Sequence, residues 1–413
     1  MTVVRREARR RWLAVLAAVA VLAALPVAVS ARPSGAPKVD AAALAAKIRA
    51  SAAQPYHGYA ESVGTLGLPQ LPKLGQVASL LSSSTRMRAW YAGKLRWRVD
   101  VIDTGSERGV YYTDGAVVTW DYGANRLTHI HAAPVGSIVE MAVGQDGRAY
   151  GYQVGELYGE APTRLPRGAD LMPPELARRL IGLGAGDRVE SIPGKRVAGI
   201  SAAGLRLTSA DPHTTVGHID IWADPRTGLP LEVAVTARNA ERPILVTRFL
   251  DLRQEAPPAD ALVPPAPRDG ESFTRVDPDD QATIFGDAFV QPDQLAGMQR
   301  RSSDAGLDIA GLKPGEVRQF VFRFRPGEVY GTGLTQILVV VLSREISRDA
   351  LRIAGSWGSR QQVTGGQLAL IAAPLLSVLV VRSDRTRTTY LVAGLVDAEV
   401  MQRVGAELAV AGS

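Results

Sequence analysis

Polar and apolar residues alternate along most of residues 56–253, a pattern that predicts one strand after another. In "RWRVDVID", Trp97, Val99 and Val101 share one face while Arg96, Arg98 and Asp100 take the other, the period of a half-buried sheet. "GVYYTDGAVVTWDYGANRLTHIH" holds three more short strands, with Asp114-Gly115 and Gly123-Ala124-Asn125 as turns. Farther on, "HIDIWADPRTGLPLEVAVTA" predicts a hairpin in which Ile219 and Ile221 lie opposite Leu231, Val233 and Val235. Asp224-Pro225-Arg226-Thr227-Gly228 supplies its turn chemistry.

Three segments break the alternation with helical spacing. Over 40–53, Asp40 can cap a helix whose Leu44, Ile48 and alanines face inward, and Pro55 ends it. "PVGSIVEMAVG" and "PPELARRLIGLG" predict two more short helices, the second ending at Gly182 or Gly184. "EAPPADALVPPAPRDG" carries five prolines and little periodicity, so it is expected to be a stiff linker. Beyond it, "EVYGTGLTQILVVVLS", "QLALIAAPLLSVLVVRSD" and "TTYLVAGLV" predict strands, with helices at "SRDALRIAG" and "DAEVMQRVGAELAV". The run over 368–381 is apolar, but short for a membrane span and interrupted by Pro374, so paired buried strands are expected. Four spans result: a leader over 1–31, a strand-rich domain over 32–255, a linker over 256–285 and a smaller domain over 286–413. The expected class is α+β.

One stretch fits neither pattern. After the first strand, "GTLGLPQLPKLGQVASLL" places Leu66, Leu68, Leu71, Leu74, Val77 and Leu81 in an arm that Pro69 and Pro72 keep out of a sheet. Surface loops are usually polar. These leucines therefore form either a lip over an apolar cavity or a satellite cluster packed on the outer sheet. Leaving several exposed would be costly, because burying each contributes about 1.5–3 kcal/mol.

Charge alters the picture at the N-terminus. Five arginines (Arg5, Arg6, Arg9, Arg10, Arg11) precede an apolar run over 12–29 and the small-residue triplet Val29-Ser30-Ala31. That order matches a secretory signal cut after Ala31, and the 18-residue run could alternatively stay as a membrane anchor. The leader holds five arginines and one glutamate, so most of the chain's net +6 belongs to it. The remainder is too near neutrality to suggest a nucleic-acid partner. With no cysteines, disulfides, thiolate metal sites and cysteine nucleophiles are excluded.

Catalytic signatures are missing as well. No G-x-S-x-G or H-E-x-x-H occurs, and "GISAAG" has the wrong spacing for a nucleophile elbow. "GLGAGD" follows a predicted helix, which makes it a C-cap and loop and not a phosphate cradle. His129 and His131 share a strand face at a spacing two metal ligands could use, with nothing nearby to complete a set. No metal, cofactor or catalytic residue is expected. The aromatic residues do cluster: Trp90, Tyr91, Trp97, Tyr111, Tyr112, Trp120 and Tyr122 fall close together on one sheet. They form either a sheet core or the wall of a cavity for an apolar ligand.

Taken with its order of elements, "HIDIWADPRTGLPLEVAVTARNAERPILVTRFLDL" resembles the half-barrel shared by LolA-like lipoprotein carriers and the RseB/MucB family, periplasmic regulators of envelope-stress sigma factors. The quoted features are an acidic, threonine-bearing turn, Leu229-Pro230, and two strands closing on Phe249. The second domain is similar to that family's C-terminal domain through Tyr330, Gly333 and Leu334, then Gly394 and the last helix. This resemblance implies a strongly curved antiparallel half-barrel with helices and an apolar cavity in its concavity. It also implies a non-enzymatic, extracytoplasmic protein whose partner is the outer part of an anti-sigma factor and which senses a lipid-like ligand. Members of the same fold instead carry lipids or lipoprotein acyl chains to a membrane transporter. On that fold the expected cavity or lid residues are Leu66, Leu68, Leu71, Leu74, Val77, Leu81, Trp90, Trp97 and Trp120.

Overall fold

The computed structural model describes Trp12, Val15 and residues 39–69, 75–103, 105–113, 116–130, 134–143, 149–158, 167–265, 272–276, 292–301, 317–323 and 327–411. Apart from Trp12 and Val15, the expected leader lies outside these residues. No helix among them is long and apolar enough to cross a membrane.

Helix α1 (Ala41–Ala50) begins where the Asp40 carboxylate accepts the Ala43 N–H at 2.9 Å. Ala41, Leu44, Ala45 and Ile48 form its buried stripe at helical spacing. Strand β1 (Tyr56–Gly64) follows, and α2 (Gly75–Ser82) leads into β2 (Ser84–Gly93). A meander continues through β3 (Arg96–Asp103), β4 (Ser106–Thr113), β5 (Ala116–Asp121) and β6 (Arg126–Ile130). The chain then leaves the sheet through β7 (Pro134–Val143), β8 (Ala149–Tyr158) and α3 (Pro173–Leu183). It returns as β9 (Arg188–Val197), β10 (Ile200–Thr208), β11 (Val216–Ala223), β12 (Pro230–Ala237) and β13 (Leu245–Arg253).

This path puts β1 at the centre, paired antiparallel with β2 on one side and β13 on the other. One meander runs outward from β1 to β6, and the second runs inward from β9 to β13. A short strand, β14 (Ser272–Val276), adds parallel to β6 and so draws part of the expected linker into the sheet. Among the described residues the sheet has twelve strands, with β14 and β9 as its ends and no pairing between them. Bulges at Tyr59/Ala60, Ala202/Gly204, Val216/His218 and Trp222/Ala223 bend the strands.

Helices α1 and α3 cover one face of the β9–β13 half. Leu44, Ile48, Ala177, Leu180 and Ile181 pack there against Leu205, Leu207, Ile219, Ile221, Val233 and Val235. The β11–β12 turn fixes α1 in place: Lys47 Nζ donates to the Pro225 carbonyl at 2.7 Å. Gly228, at φ +72°, lets that turn approach so closely that a Cβ would stand 2.5 Å from the Lys47 carbonyl oxygen.

One predicted helix is a strand. "PVGSIVEMAVG" forms β7, paired with β8 on one side and on the other with β17 (Val317–Arg323) from the C-terminal part. Ile138, Val139, Met141 and Ala142 have helix-like spacing, but two neighbouring strands offer a ladder on both edges, and pairing overrides the local pattern.

The second unit opens with the two-residue strands β15 (Gln294–Leu295) and β16 (Met298–Gln299). Its six-stranded sheet comprises β18 (Gly327–Thr332), β19 (Thr335–Val341), β20 (Ser359–Val363), β21 (Gly366–Ala372), β22 (Ser377–Ser383) and β23 (Thr389–Gly394). Their order is β18-β19-β23-β22-β21-β20. Helix α4 (Arg344–Trp357) covers one face and α5 (Ala398–Val410) the other. This explains the apolar run over 368–381: Leu368, Leu370, Leu379 and Val381 point to α5, while Ala369, Ile371, Val378 and Val380 point to α4. Both faces are buried, so neither needs polar residues.

The two units meet along a seam. Thr214 and Val396 form an antiparallel bridge, the Thr215 N–H donates to the Leu395 carbonyl at 3.0 Å, and the Asp397 N–H donates to the His213 carbonyl at 2.9 Å. Thr215 Oγ1 donates to the Leu375 carbonyl at 2.6 Å. His213 Nδ1 lies 2.9 Å from Asp397 Oδ2, on the residue that also caps α5. Leu334 and Leu375 of the second unit are buried in the same cluster as Leu66, Ala177 and Leu180.

Candidate functional site

A cleft of about 570 Å³ opens where the C-terminal end of α1, the start of α3 and the β1–β3 part of the sheet converge. Period-two pairing sets its inner wall: Tyr56 lies opposite Tyr91, and Tyr91 opposite Trp97. The rings of Tyr56 and Tyr91 stack at 5.1 Å, and Tyr56 meets Phe249 edge-on at 5.6 Å. The Tyr91 hydroxyl donates to the Ala52 carbonyl at 2.6 Å, tying the wall to the end of α1. Burial raises both tyrosine pKa values, so each stays a neutral donor. Trp97 stacks on Tyr112 at 5.8 Å, which fixes its ring at the mouth.

Trp90 and Arg98 pair on the opposite face of the hairpin and join the lining at its end. There the Arg98 guanidinium sits 4.5 Å from the Trp90 ring centre and 4.7 Å from that of Tyr111. It also donates to both oxygens of Asp100, at 2.7 and 2.6 Å. Arg98 is therefore neutralised from behind.

The remaining charge comes from the helices and the hairpin tip. Arg49, Lys94, Arg178 and Arg179 line the cleft against two carboxylates, Asp170 and Glu175. Asp170 accepts the Arg167 N–H at 2.7 Å, and Glu175 accepts from Arg178 Nη2 at 3.0 Å. Arg178 Nη1 is buried without an acceptor among the described residues. A buried guanidinium donor left unpaired is costly.

Among the described residues the lining contains no serine, threonine, cysteine or histidine. No group of three His, Cys, Asp or Glu able to hold a metal occurs among the described residues. The lining combines aromatic walls, which suit an apolar or planar body, with cations, which suit an anionic head.

The residues expected from the sequence separate into distinct places. Trp97 and Trp90 line the cleft. Trp120 packs instead with Tyr111, Val118 and Leu127. Leu66 is buried in the core cluster shared with the second unit, and Leu68 packs against both that cluster and the one under α4. The Leu66 N–H donates to the Leu81 carbonyl at 3.3 Å and the Leu68 N–H to Ser82 Oγ at 2.9 Å, fastening the arm to the end of α2. Leu81 packs on the cores of both halves of the large sheet. Leu71, Leu74 and the Val77 side chain lie outside the described residues.

Sequence reading did not single out Arg49, Tyr56, Arg178 or Arg179. Arg178 and Arg179 sit on a helix whose amphipathic pattern was legible, and only the tertiary fold shows what that helix faces.

No family model matches the chain, and neither does any curated protein. Among solved structures it is similar to the Pseudomonas aeruginosa MucA/MucB complex at 15% identity and a TM-score of 0.45, covering 89% of this chain and 97% of that one. A crystal structure of MucB has 15% identity and a TM-score of 0.42 over 90% and 98%. The chain is also similar to a LolA-superfamily protein from Nitrosomonas europaea at 9% identity and a TM-score of 0.20, covering 55% of this chain and 99% of that one.

Proposed function

We propose that the chain is a non-enzymatic, extracytoplasmic binding protein whose cleft takes an amphiphilic anion, a lipid-like molecule with an acidic head. Occupancy regulates how the two-unit surface engages the extracytoplasmic part of a membrane protein, an anti-sigma factor by the family resemblance of the sequence. One observation carries the ligand reading: a cleft with aromatic walls and four cations from the helices and the hairpin tip, Arg49, Lys94, Arg178 and Arg179. The seam favours regulation over carriage. A carrier needs only the large sheet, whereas here the second unit is bonded to that sheet through His213, Thr214 and Thr215.

The test is native mass spectrometry of the chain purified from its own host, followed by organic extraction. We expect one anionic amphiphile per chain. Replacing Arg178 by leucine should lower occupancy about tenfold or more, since a hydrogen bond to a charged group is worth about 1.5–3 kcal/mol. A chain that emerges empty and takes up no anionic lipid would overturn the ligand reading.

A further inference from the structure

The hairpin joining β2 and β3 ends in Lys94-Leu95-Arg96. Leu95 is 72% exposed, the most of any large apolar residue among those described. A hairpin tip needs no leucine, because polar turn residues serve it better. Both chain neighbours of Leu95 are cations: Lys94 and Arg96 are exposed, and neither has an ion-pair partner among the described residues. Just behind the tip stands a tryptophan on each face of the hairpin, Trp97 and Trp90, and both reach the cleft lining. Arg49 and Arg179 add exposed cations across the cleft mouth.

An apolar apex, a cationic collar and an aromatic belt behind it follow the gradient of a bilayer surface from acyl chains through headgroups to water. We propose that the β2–β3 tip docks on an anionic lipid surface, with Leu95 entering below the headgroups and Lys94 and Arg96 at the phosphates. The partner is a membrane and not a nucleic acid, because an exposed leucine at the apex offers nothing to a phosphate backbone. Lys94 also lines the cleft, so docking would set the cleft mouth on the membrane. This inference goes beyond the reading of the cleft and holds whatever the cleft contains.

The chain has no cysteine, so Leu95→Cys gives one unique site for an environment-sensitive nitrobenzoxadiazole label in the full chain. Trp357→Cys, on an exposed residue of the second unit, is the control. With phosphatidylcholine vesicles containing phosphatidylglycerol, we expect a blue shift at position 95, quenching by spin-labelled acyl chains, and no change at 357. Each cation near an anionic surface contributes about a fivefold gain in binding, so K94E/R96E should weaken the response at 95 more than tenfold. No shift at 95, an equal shift at both sites, or a response indifferent to K94E/R96E would overturn the proposal. A tip that inserts while the cleft is found empty would sink the reading of the cleft and leave this one standing.

Discussion

Asp100 has no exposed surface, yet it carries a carboxylate held by both prongs of Arg98. Burial disfavours its charge, the Arg98 hydrogen bonds favour it, and burial prevails, pushing the carboxyl up to about 6. An unfolded chain releases that proton near pH 4. The native state therefore holds a proton the unfolded state has lost between about pH 4 and 6, and this group's contribution to stability falls as pH rises through that window. Asp224 and Asp397 behave oppositely. Burial raises each, but the Arg226 N–H and Gln254 amide at Asp224, and the Val400 N–H and His213 at Asp397, outweigh it and hold both low. Their contribution is complete above about pH 4 and disappears as pH drops through their lowered values. Urea denaturation at stepped pH checks the first claim: Asp100→Asn should remove the decline between pH 4 and 6.

At the scale of elements, the contact between the β11–β12 turn and α1 gives a second expectation. Gly228→Ala combines a left-handed backbone with a collision at the Lys47 carbonyl. It should destabilise by more than about 1 kcal/mol, read as a lower urea midpoint at unchanged slope. The hairpin itself was legible, because Asp224-Pro225 and Gly228 flanked by alternating apolar residues leave few other conformations. Strand β7 was not legible, since its helix-like spacing of Ile138, Val139, Met141 and Ala142 is resolved only by partners distant in sequence. The cleft was half legible for a related reason. Alternation groups Tyr91 with Trp97 and Trp90 with Arg98, but it cannot say which pair meets the helices. That follows from where α3 packs, which its own residues do not encode locally.

The whole molecule depends on the seam. Leu66 lies in an arm whose role two readings could explain, and the structure buries it beside Leu334 and Leu375 of the second unit. Leu66→Ala should cost about 2–5 kcal/mol and loosen the units together, seen as faster limited proteolysis between them. Thr215→Val removes one hydrogen bond to the Leu375 carbonyl. It should cost about 1 kcal/mol with far less effect on the large sheet.

The shared cluster also constrains how the chain is made. In a chain threaded N-terminus first across a membrane as it is made, Leu66, Ala177 and Leu180 emerge well before Leu375, which shares their cluster and lies about 120 residues beyond the end of β13. At about 5–20 residues per second, that apolar face waits on the order of ten seconds for its cover. During that interval the nascent sheet is a client for a holding chaperone, and a chain terminated early would keep the same face open for aggregation.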